Sequence, residues 1–550
     1  MKAISRLRIP ARSTCLGFKS RWLTAVFLAS PLLGYASDIF VAQNAAGADS
    51  GADCANAHSV AWLATAASWD GKQGHLGAGS TAHLCGIFNF GAQKTGVTVM
   101  ASGTSSNPIT IFFEPGAILQ SPAFSGNPGA QFGGAILING FNYIVIDGGT
   151  NGIIQNTQDG AATKTCLSGG ACTVQSPSVG VYVNNSIGTE VKNLTIQGIY
   201  FLASGQLDGG PADGTADIYA SGPLSDISIH DNILKDSRGG IWVGFDNGTI
   251  SGADIYNNTV SHHNWHIIVS NGTGGFGATG VLVHNNVITD WSDWNGAGSA
   301  GYHNDGLFFF NSAGSPRFNP LIYDNRVYGD IDGGTGGGTG FLYCTYGTGT
   351  NVDSAVCTAF NNVFDNVTGN PNKHCAAAVS WNAIGTQFYN NTLIGTPSCA
   401  TGNSWGFFIN GTGATLSNNI VKGFQSAVSC PYNPCTSAVA VSDHNDWANV
   451  GTTTMVTGTG GNYTFAQWRA TGRDINSLTS DPSLGPTYVP GPGSPVIGAG
   501  ANLTGAGISQ LTVDAAGTAR PAPPQAWTIG AFNAILGGPM PPTNLIISLR

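Results

Sequence analysis

Ionisable and aromatic side chains concentrate in residues 230–303. Six of the eleven His lie in this stretch, within a 550-residue chain whose charged residues amount to only 9%. Carboxyl and imidazole groups are the side chains that move protons in glycoside cleavage, and flat indole faces suit the C–H face of a sugar ring. The stretch supplies all three types of group. The spacing therefore indicates a site for carbohydrate chemistry or carbohydrate binding.

Asp305 is the sharpest candidate for a catalytic group. It lies in the segment 302–306, Tyr-His-Asn-Asp-Gly, directly before an apolar strand and after a long loop. We predict that Asp305 acts as acid or base and that Asp290 or Asp293 is the second carboxylate. The residues predicted to orient these carboxyl groups or tune their pKa are His303 and His263, and those predicted to bind sugar are Trp242, Trp265, Trp291, Trp294, Tyr302 and His266.

Lys235 and Arg238 suggest a second chemistry, β-elimination from a uronic acid polymer. They lie three residues apart on one predicted turn. A Lys can remove the proton next to a uronate carboxylate, while an Arg or a Ca²⁺ ion neutralises that carboxylate. Asp330 and Asp332 are the candidate metal ligands, because their segment resembles a calcium-binding loop that lacks its closing Glu. Ca²⁺ is the one cofactor that the sequence suggests.

The elements that must position these groups repeat along the chain. A phrase of Asx, Asn, any residue and an apolar residue recurs, and its second Asn returns after 26, 28, 39, 37, 29 and 28 residues. Its copies begin at Asp231, Asn257, Asn285, Asp324, Asn361, Asn390 and Asn418. Each unit also carries a second short strand of β-branched or aromatic residues, and no helical period runs through the repeats. Such units stack most simply as parallel coils around one core.

The Asx-Asn phrase has a structural interpretation. Asn and Asp tolerate left-handed turn geometry, and stacked Asn side chains can form an amide ladder from coil to coil. Alignment of the phrases predicts four stacked columns: Asp236, His262 and Asp290; Ser237, His263 and His303; Arg238, Asn264 and Asn304; Gly239, Trp265 and Asp305. Residues two coils apart would lie about 10 Å apart. Paired catalytic carboxyl groups in glycosidases work over about 5–9.5 Å.

The repeat resembles the right-handed parallel β-helix superfamily over roughly residues 100–450. That superfamily includes pectate lyases, polygalacturonase-like glycosidases, alginate and chondroitin lyases, and phage tailspikes. The resemblance implies an all-β solenoid with an N-terminal cap and a C-terminal closing segment. Asp305 before Gly306 resembles the catalytic Asp segment of polygalacturonase-type glycosidases. The further motifs of that family, Asp-Asp, Gly-His-Gly and Arg-x-Lys, do not follow in order, so the resemblance implies a role for Asp305 alone.

The flanks of the repeat divide the chain further. Residues 1–36 are predicted to be a signal peptide, because a basic segment precedes the apolar run Trp22–Leu33 and small residues precede Ser37. Residues 37–100 are predicted to form the N-terminal cap, 101–483 the parallel β-helix, 484–536 the closing segment, and 537–550 a linker.

Cysteine usage agrees with export. Cys15 lies in the predicted signal peptide, which leaves an even ten Cys for the mature chain, and no pair has CxxC spacing. Local closure suggests the disulfides Cys54–Cys85, Cys166–Cys172, Cys344–Cys357, Cys375–Cys399 and Cys430–Cys435.

The net charge of the mature chain limits the kinds of molecule that it can bind. Six of the 20 basic residues and none of the 29 acidic residues lie in 1–36, so the mature chain is strongly acidic. Such a surface repels nucleic acid, and no apolar run is long enough to span a membrane with confidence. We therefore predict a secreted or cell-surface bacterial monomer that cleaves a polysaccharide, by hydrolysis in preference to Ca²⁺-assisted elimination. A non-catalytic β-helix adhesin or glycan-binding protein is the alternative from another class.

Overall fold

A right-handed parallel β-helix forms most of the chain, as predicted. The computed structural model describes residues 37–126, 133–158, 164–166, 172–174, 178–199, 215–244, 248–271, 277–291, 304–311, 318–329, 339–346, 357–366, 375–396, 399, 403–450 and 454–534. Within these ranges, 35 strands belong to one parallel sheet system. Helices in the same ranges are short, and none is long and apolar enough to cross a membrane.

The strands stack into three faces, which we call sheets I, II and III. Sheet I contains β5 (Val97–Thr98), β8 (Ile136–Asn139), β13 (Val179–Ile187), β16 (Ala216–His230), β17 (Ile233–Val243), β19 (Thr259–Ser270), β22 (Asn304–Asn311), β25 (Thr339–Tyr346), β28 (Cys375–Trp381), β31 (Ser404–Ile409), β34 (Ser426–Cys430) and β37 (Val456–Gly458). Four of these strands, β13, β16, β17 and β19, bend at a corner and also pair with a second sheet.

The other two faces consist of shorter strands. Sheet II contains β1 (Asp38–Ala42), β3 (Thr81–Cys85), β6 (Ile109–Phe113), β9 (Ile144–Asp147), β14 (Glu190–Lys192), β18 (Ile250–Tyr256), β20 (Ala278–His284), β23 (Leu321–Tyr323), β26 (Thr358–Phe360), β29 (Gln387–Tyr389), β32 (Ala414–Ser417) and β35 (Val439–Asp443). Sheet III contains β4 (Ile87–Asn89), β7 (Ile118–Ser121), β10 (Ile153–Asn156), β15 (Thr195–Gln197), β21 (Val287–Trp291), β24 (Arg326–Tyr328), β27 (Val363–Asp365), β30 (Thr392–Ile394), β33 (Ile420–Lys422) and β36 (Asp446–Ala448). Outside the three faces, β2 (His58–Ser59) pairs with β1, and β11 (Lys164–Cys166) pairs antiparallel with β12 (Cys172–Val174).

The inward side chains form one continuous core along the axis. Ile218, Ile241, Ile267 and Leu307 occupy the same position in successive strands of sheet I, and all four are fully buried. Each such side chain contributes about 1.5–3 kcal/mol through the surface that it removes from water. Stacked coils can bury this surface, whereas one coil alone cannot.

The two residues of the Asx-Asn phrase have different structural roles. The first takes a left-handed conformation, as in Asp231 and Asn257, both with φ 55°. The second forms the predicted amide ladder, in which each Nδ2 donates to the Oδ1 of the next Asn at 2.9–3.1 Å. The members of the ladder are Asn232, Asn258, Asn286, Asn325, Asn362, Asn391, Asn419 and Asn445. The repeat therefore sets both the turn and the bond between turns.

Short helical turns occupy the N-terminal end. They comprise α1 (Val60–Leu63) and 3-10 turns at Cys54–Asn56 and Ala66–Trp69. The Trp69 indole donates to the Leu63 carbonyl at 2.8 Å and anchors this segment. Strands β3, β4 and β5 lie within the predicted cap range 37–100 but already pair with strands of the solenoid. That range therefore holds both the helical turns and the first coil.

The C-terminal end is closed by a segment that lies before the predicted closing segment. Helix α3 (Phe465–Arg469) positions Trp468, whose indole donates to Asp474 at 2.8 Å. The same carboxyl group accepts the last amide of the ladder, from Asn445, at 3.2 Å. A second short helix, α2 (Cys435–Ala438), lies nearby in the chain.

Residues 484–534, which we call the strap, run along the outside of the solenoid. Its main-chain carbonyls accept amide hydrogens from the first Asn of three successive coils: Val513 from Asn361 at 2.8 Å, Thr528 from Asn390 at 3.0 Å and Ala501 from Asn418 at 2.8 Å. The strap contains 3-10 turns at Thr504–Ala506 and Ser509–Thr512. It therefore covers the side of the last coils, whereas Trp468 and Asp474 cover their end.

Four of the five predicted disulfides are confirmed. They are Cys54–Cys85, Cys344–Cys357, Cys375–Cys399 and Cys430–Cys435. Cys166 and Cys172 are opposite each other in the β11–β12 register, although their side chains lie outside the described residues. The predicted signal peptide 1–36 and linker 537–550 also lie outside them.

Candidate functional site

Long connections join the strands of sheet I to those of the other two sheets. Segment 198–215 leads into β16, segment 292–303 leads into β22, segment 330–338 leads into β25, and segment 347–356 follows β25. Insertions on one flank of a solenoid commonly build its binding face. The outward side of sheet I is therefore the candidate site.

The predicted stacking of the candidate residues is confirmed where the structure describes it. Gly239, Trp265 and Asp305 are paired in register in successive coils. The other columns also hold: Ser237 pairs with His263, the amides of Asn264 and Asn304 bond to each other, and Asp236, His262 and Asp290 share a left-handed backbone with φ 54–61°. His303 lies outside the described residues.

Asp305 lies on sheet I between an aromatic and a very small residue. Trp265 precedes it in the column and Gly340 follows it. A Cβ at Gly340 would lie 3.4 Å from Asp305 Oδ1, so the carboxyl group packs directly against this glycine. Burial, with a contribution from the charge of Asp305, raises the pKa of the nearby Tyr343. The Tyr343 ring packs over the same glycine, since its Cδ2 would lie 3.3 Å from a Cβ at Gly340.

Arg238 lies on the same face, among indole rings. Its guanidinium is 4.9 Å from the ring centre of Trp265 and 5.7 Å from that of Trp242. All three side chains are buried in an aromatic cluster with Tyr219 and Phe308. Trp265 therefore stands between a buried cation on the preceding coil and the Asp305 carboxyl group on the following coil.

Lys235 is separated from Arg238 by the corner of the solenoid. Lys235 pairs with Gln197 and Ser261 in sheet III, whereas Arg238 follows the left-handed corner residue Asp236 and enters sheet I. The two basic residues that the sequence places on one turn therefore belong to different faces.

His263 contacts a carboxyl group that the sequence interpretation missed. Its Nε2 is 2.8 Å from Asp217 Oδ2, and both side chains are fully buried. Burial raises the pKa of Asp217 well above its usual range and lowers the pKa of His263 well below its own. The two side chains thus share one buried hydrogen bond, and burial disfavours the charged form of each. Asp217 lies in the apolar run 216–220, where an acidic residue at a buried position was the available signal.

The His266 ring lies within hydrogen-bonding distance of the main-chain carbonyl groups of both candidate acids. Its Nδ1 is 3.3 Å from the carbonyl oxygen of Asp305, and its Nε2 is 3.1 Å from that of Asp290. The sequence predicts sugar binding for His266, but its register opposite Gly240 and Gly306 turns the ring into the solenoid. It is therefore a supporting residue beneath sheet I, with no face open to a sugar.

Trp291 also points inward. It belongs to the main core, where its ring stacks on Phe341 at 5.1 Å and contacts His266 edge-on at 5.1 Å. A buried ring in this position offers no surface to a sugar, so the predicted stacking role does not fit this structure. The remaining candidates that lie outside the described residues are Asp293, Trp294, Tyr302, Asp330 and Asp332.

The Ca²⁺ prediction rests on Asp330 and Asp332, which lie outside the described residues. Among the residues that the structure describes, no cluster of three or more His, Cys, Asp or Glu side chains is arranged to hold a metal ion. Asp330 and Asp332 thus remain sequence-based candidates.

His266 will make the fold sensitive to acid. Burial lowers its pKa to about 4, whereas an unfolded His titrates near about 6.5. Between these two pKa values, His266 binds a proton in the unfolded chain and does not bind one in the folded chain. The free energy of unfolding therefore falls as pH drops from about 6.5 to about 4. The expected contribution is about 1.4 kcal/mol per pH unit.

Urea unfolding of the wild type and His266→Gln across this pH range measures that slope. The variant is expected to show a smaller slope, because the buried His263 and Asp217 remain and contribute in opposite directions. His262→Gln is the matched control, since His262 is 51% exposed at the neighbouring corner. An unchanged slope in His266→Gln would contradict the assignment.

Comparison with known proteins extends only to the fold. No protein-family model matches the sequence, and no curated protein is similar to it. Among solved structures, the chain is similar to a GH136 lacto-N-biosidase from Eubacterium ramulus at 13% identity and TM-score 0.34, over 70% of this chain and 64% of that one. It is also similar to pectate lyase Pel9A at 13% identity and TM-score 0.40, over 90% and 96% of the two chains. XylC in complex with xylose matches at 10% identity and TM-score 0.43, over 91% and 98%. The chain thus spans slightly less than two thirds of the lacto-N-biosidase.

Proposed function

We propose that the protein is a secreted enzyme that cleaves a polysaccharide on the outward side of sheet I, with Asp305 as a catalytic group. The position of Asp305 carries this proposal. Its carboxyl group packs between Trp265 and Gly340 on a face that long connections flank. Four disulfides are consistent with an oxidising, extracellular compartment.

Hydrolysis is the chemistry that we favour. Two carboxyl groups must flank the scissile bond, one donating a proton to the leaving oxygen and the other activating water or attacking the sugar. His266 contacts the main chains of Asp305 and Asp290 through the two sides of one imidazole ring. Asp305 is buried and Asp290 is half-exposed. We therefore assign Asp305 as the proton donor and Asp290, or Asp293 in the adjoining segment, as the partner that water reaches.

Elimination is the second candidate, and the position of Arg238 favours it. A guanidinium buried on the same face can pair with a uronate carboxylate through two parallel hydrogen bonds. Lys235 would then have to reach around the corner from sheet III to act as the base. This separation is the reason that we place elimination second.

A single digest separates these chemistries. The full mature chain is incubated with neutral and uronic polysaccharides, with and without Ca²⁺, while new reducing ends and the ultraviolet absorbance of unsaturated uronate are followed. We expect reducing ends without absorbance. Both signals together, gained with Ca²⁺, would contradict hydrolysis and transfer the chemistry to Lys235 and Arg238. Neither signal across the panel would favour a non-catalytic glycan-binding protein.

A further inference from the structure

A partly exposed aromatic cluster lies on the C-terminal part of sheet I, beyond the candidate site. Trp381 and Phe408 stack face to face at 5.8 Å with 8° between their planes. Tyr432 contacts Trp381 edge-on at 5.4 Å and is 61% exposed. We call these three residues the aromatic platform. Trp381 and Phe408 are half-buried and Tyr432 is exposed, so the cluster presents aromatic surface that a ligand can reach.

The platform is held rigidly by the chain around it. Tyr432 lies in a short loop that the Cys430–Cys435 disulfide closes. The amide of Asn433 donates to the carbonyl of Asn410 at 2.6 Å and fastens this loop to the neighbouring coil. A ring that is already ordered loses little conformational entropy when a ligand binds. The platform is therefore ordered before a ligand binds.

The chemistry of the platform suits a neutral sugar. Amide side chains follow the three rings closely in the sequence, at Asn382, Asn410 and Asn433, and the amides of Asn410 and Asn382 bond at 3.2 Å. Aromatic faces bind the C–H faces of sugar rings, while amides and the Tyr hydroxyl exchange hydrogen bonds with sugar hydroxyls. Groups of this kind do not require a charged ligand.

The platform is continuous with the candidate site. The column that contains Asp305 runs through Gly340 and Ala376 to Trp405, and Trp405 contacts Phe408 at 5.0 Å. Three coil steps separate Asp305 from Trp405, a distance of about 14 Å. The two residues between them, Gly340 and Ala376, have the smallest side chains available, and the side chains of Asp305, Tyr343 and Val379 pack over Gly340. An oligosaccharide, rather than a single sugar, is needed to bridge that length.

We propose that the aromatic platform is a distal subsite that binds neutral sugars of a polysaccharide chain extending toward Asp305. The link to Asp305 rests on the proposed function, whereas binding at the platform does not require catalysis. The subsite makes the preferred ligand a long glycan rather than a disaccharide.

Affinity electrophoresis tests the platform directly. The wild type, Tyr432→Ala and Trp381→Ala are run through gels that contain a xylan, a glucomannan or a polygalacturonate. Val441→Ala is the matched control, because Val441 is 52% exposed on sheet II. We expect a neutral glycan to retard the wild type and the control alike. Removal of either ring is expected to weaken that binding about five- to tenfold.

The outcomes separate this proposal from the proposed function. Equal retardation of the wild type and both ring variants, retardation by the polygalacturonate alone, or no retardation at all would overturn the subsite. Cleavage by the wild type is measured separately on the same glycans. Loss of binding in the ring variants without any cleavage by the wild type would support the subsite and overturn the enzyme proposal. Circular dichroism of each variant, together with Tyr432→Phe, distinguishes loss of the ring from loss of the fold.

Discussion

Asp305→Asn will lower the rate of polysaccharide cleavage by about 10²–10⁴-fold, the range that a positioned acid or base contributes. Asn has nearly the shape of Asp but cannot give up a proton in the same way. The amide will fit the same space against Gly340 and beside Tyr343. The measurement is the initial rate of reducing-end formation on the best substrate from the digest, with substrate binding followed in parallel.

The control for this variant is a carboxyl group in the part of β16 that pairs with sheet II. Asp226 occupies an exposed left-handed turn with φ 53°, a conformation that Asn also tolerates. Asp226→Asn is expected to keep the wild-type rate. A full rate in Asp305→Asn, with unchanged thermal stability, would remove Asp305 from the reaction and would leave Arg238 as the strongest remaining group on that face.

Asn258→Ala will lower the free energy of unfolding by about 2–5 kcal/mol, because several buried groups lose their partners at once. Asn258 Oδ1 accepts from the Asn232 main chain at 3.2 Å and from its side chain at 2.9 Å. Its own amide donates to the Ile229 carbonyl at 2.9 Å and to Asn286 Oδ1 at 3.0 Å. Urea unfolding followed by tryptophan fluorescence measures the loss.

The residue before it provides a closely matched control. Asn257 is exposed and left-handed with φ 55°, a conformation that glycine adopts without strain. Asn257→Gly should therefore change stability by no more than about 0.5 kcal/mol. Similar losses in the two variants would show that the turn, rather than the ladder, sets the stability of the coil.

The fold was predictable because two adjacent residues of one recurring phrase make the turn and the bond between turns. The recurrence of Asx-Asn indicates both the left-handed corner and the buried ladder, and its phase places Trp265 beside Asp305. The strap was harder to place. Its contacts to Asn361 and Asn418 cross 152 and 83 residues, which a local pattern does not reveal.

The orientation of individual side chains was not predictable, because strands bend where sheet III meets sheet I. In a straight strand, successive side chains alternate between the two faces. Through the corner this alternation fails, since Gly240 and Ile241 both lie against the core. His266 lies opposite Gly240. Its side chain therefore also points inward, although regular alternation along the strand would place it on the outward face. Asp217 was missed because the coil that precedes it carries only a looser copy of the phrase, around Asn193.

The strap changes how the last coils can come apart. In a solenoid whose repeats touch only their neighbours, unfolding can proceed one repeat at a time from a free end. The strap bonds to Asn361, Asn390 and Asn418, and the Arg520 guanidinium adds a bond to Asn361 at 2.8 Å. None of these three repeats can open without releasing a segment that also holds the other two. The strap thus joins the last repeats of the stack, where unfolding would normally begin, into one unit that unfolds cooperatively.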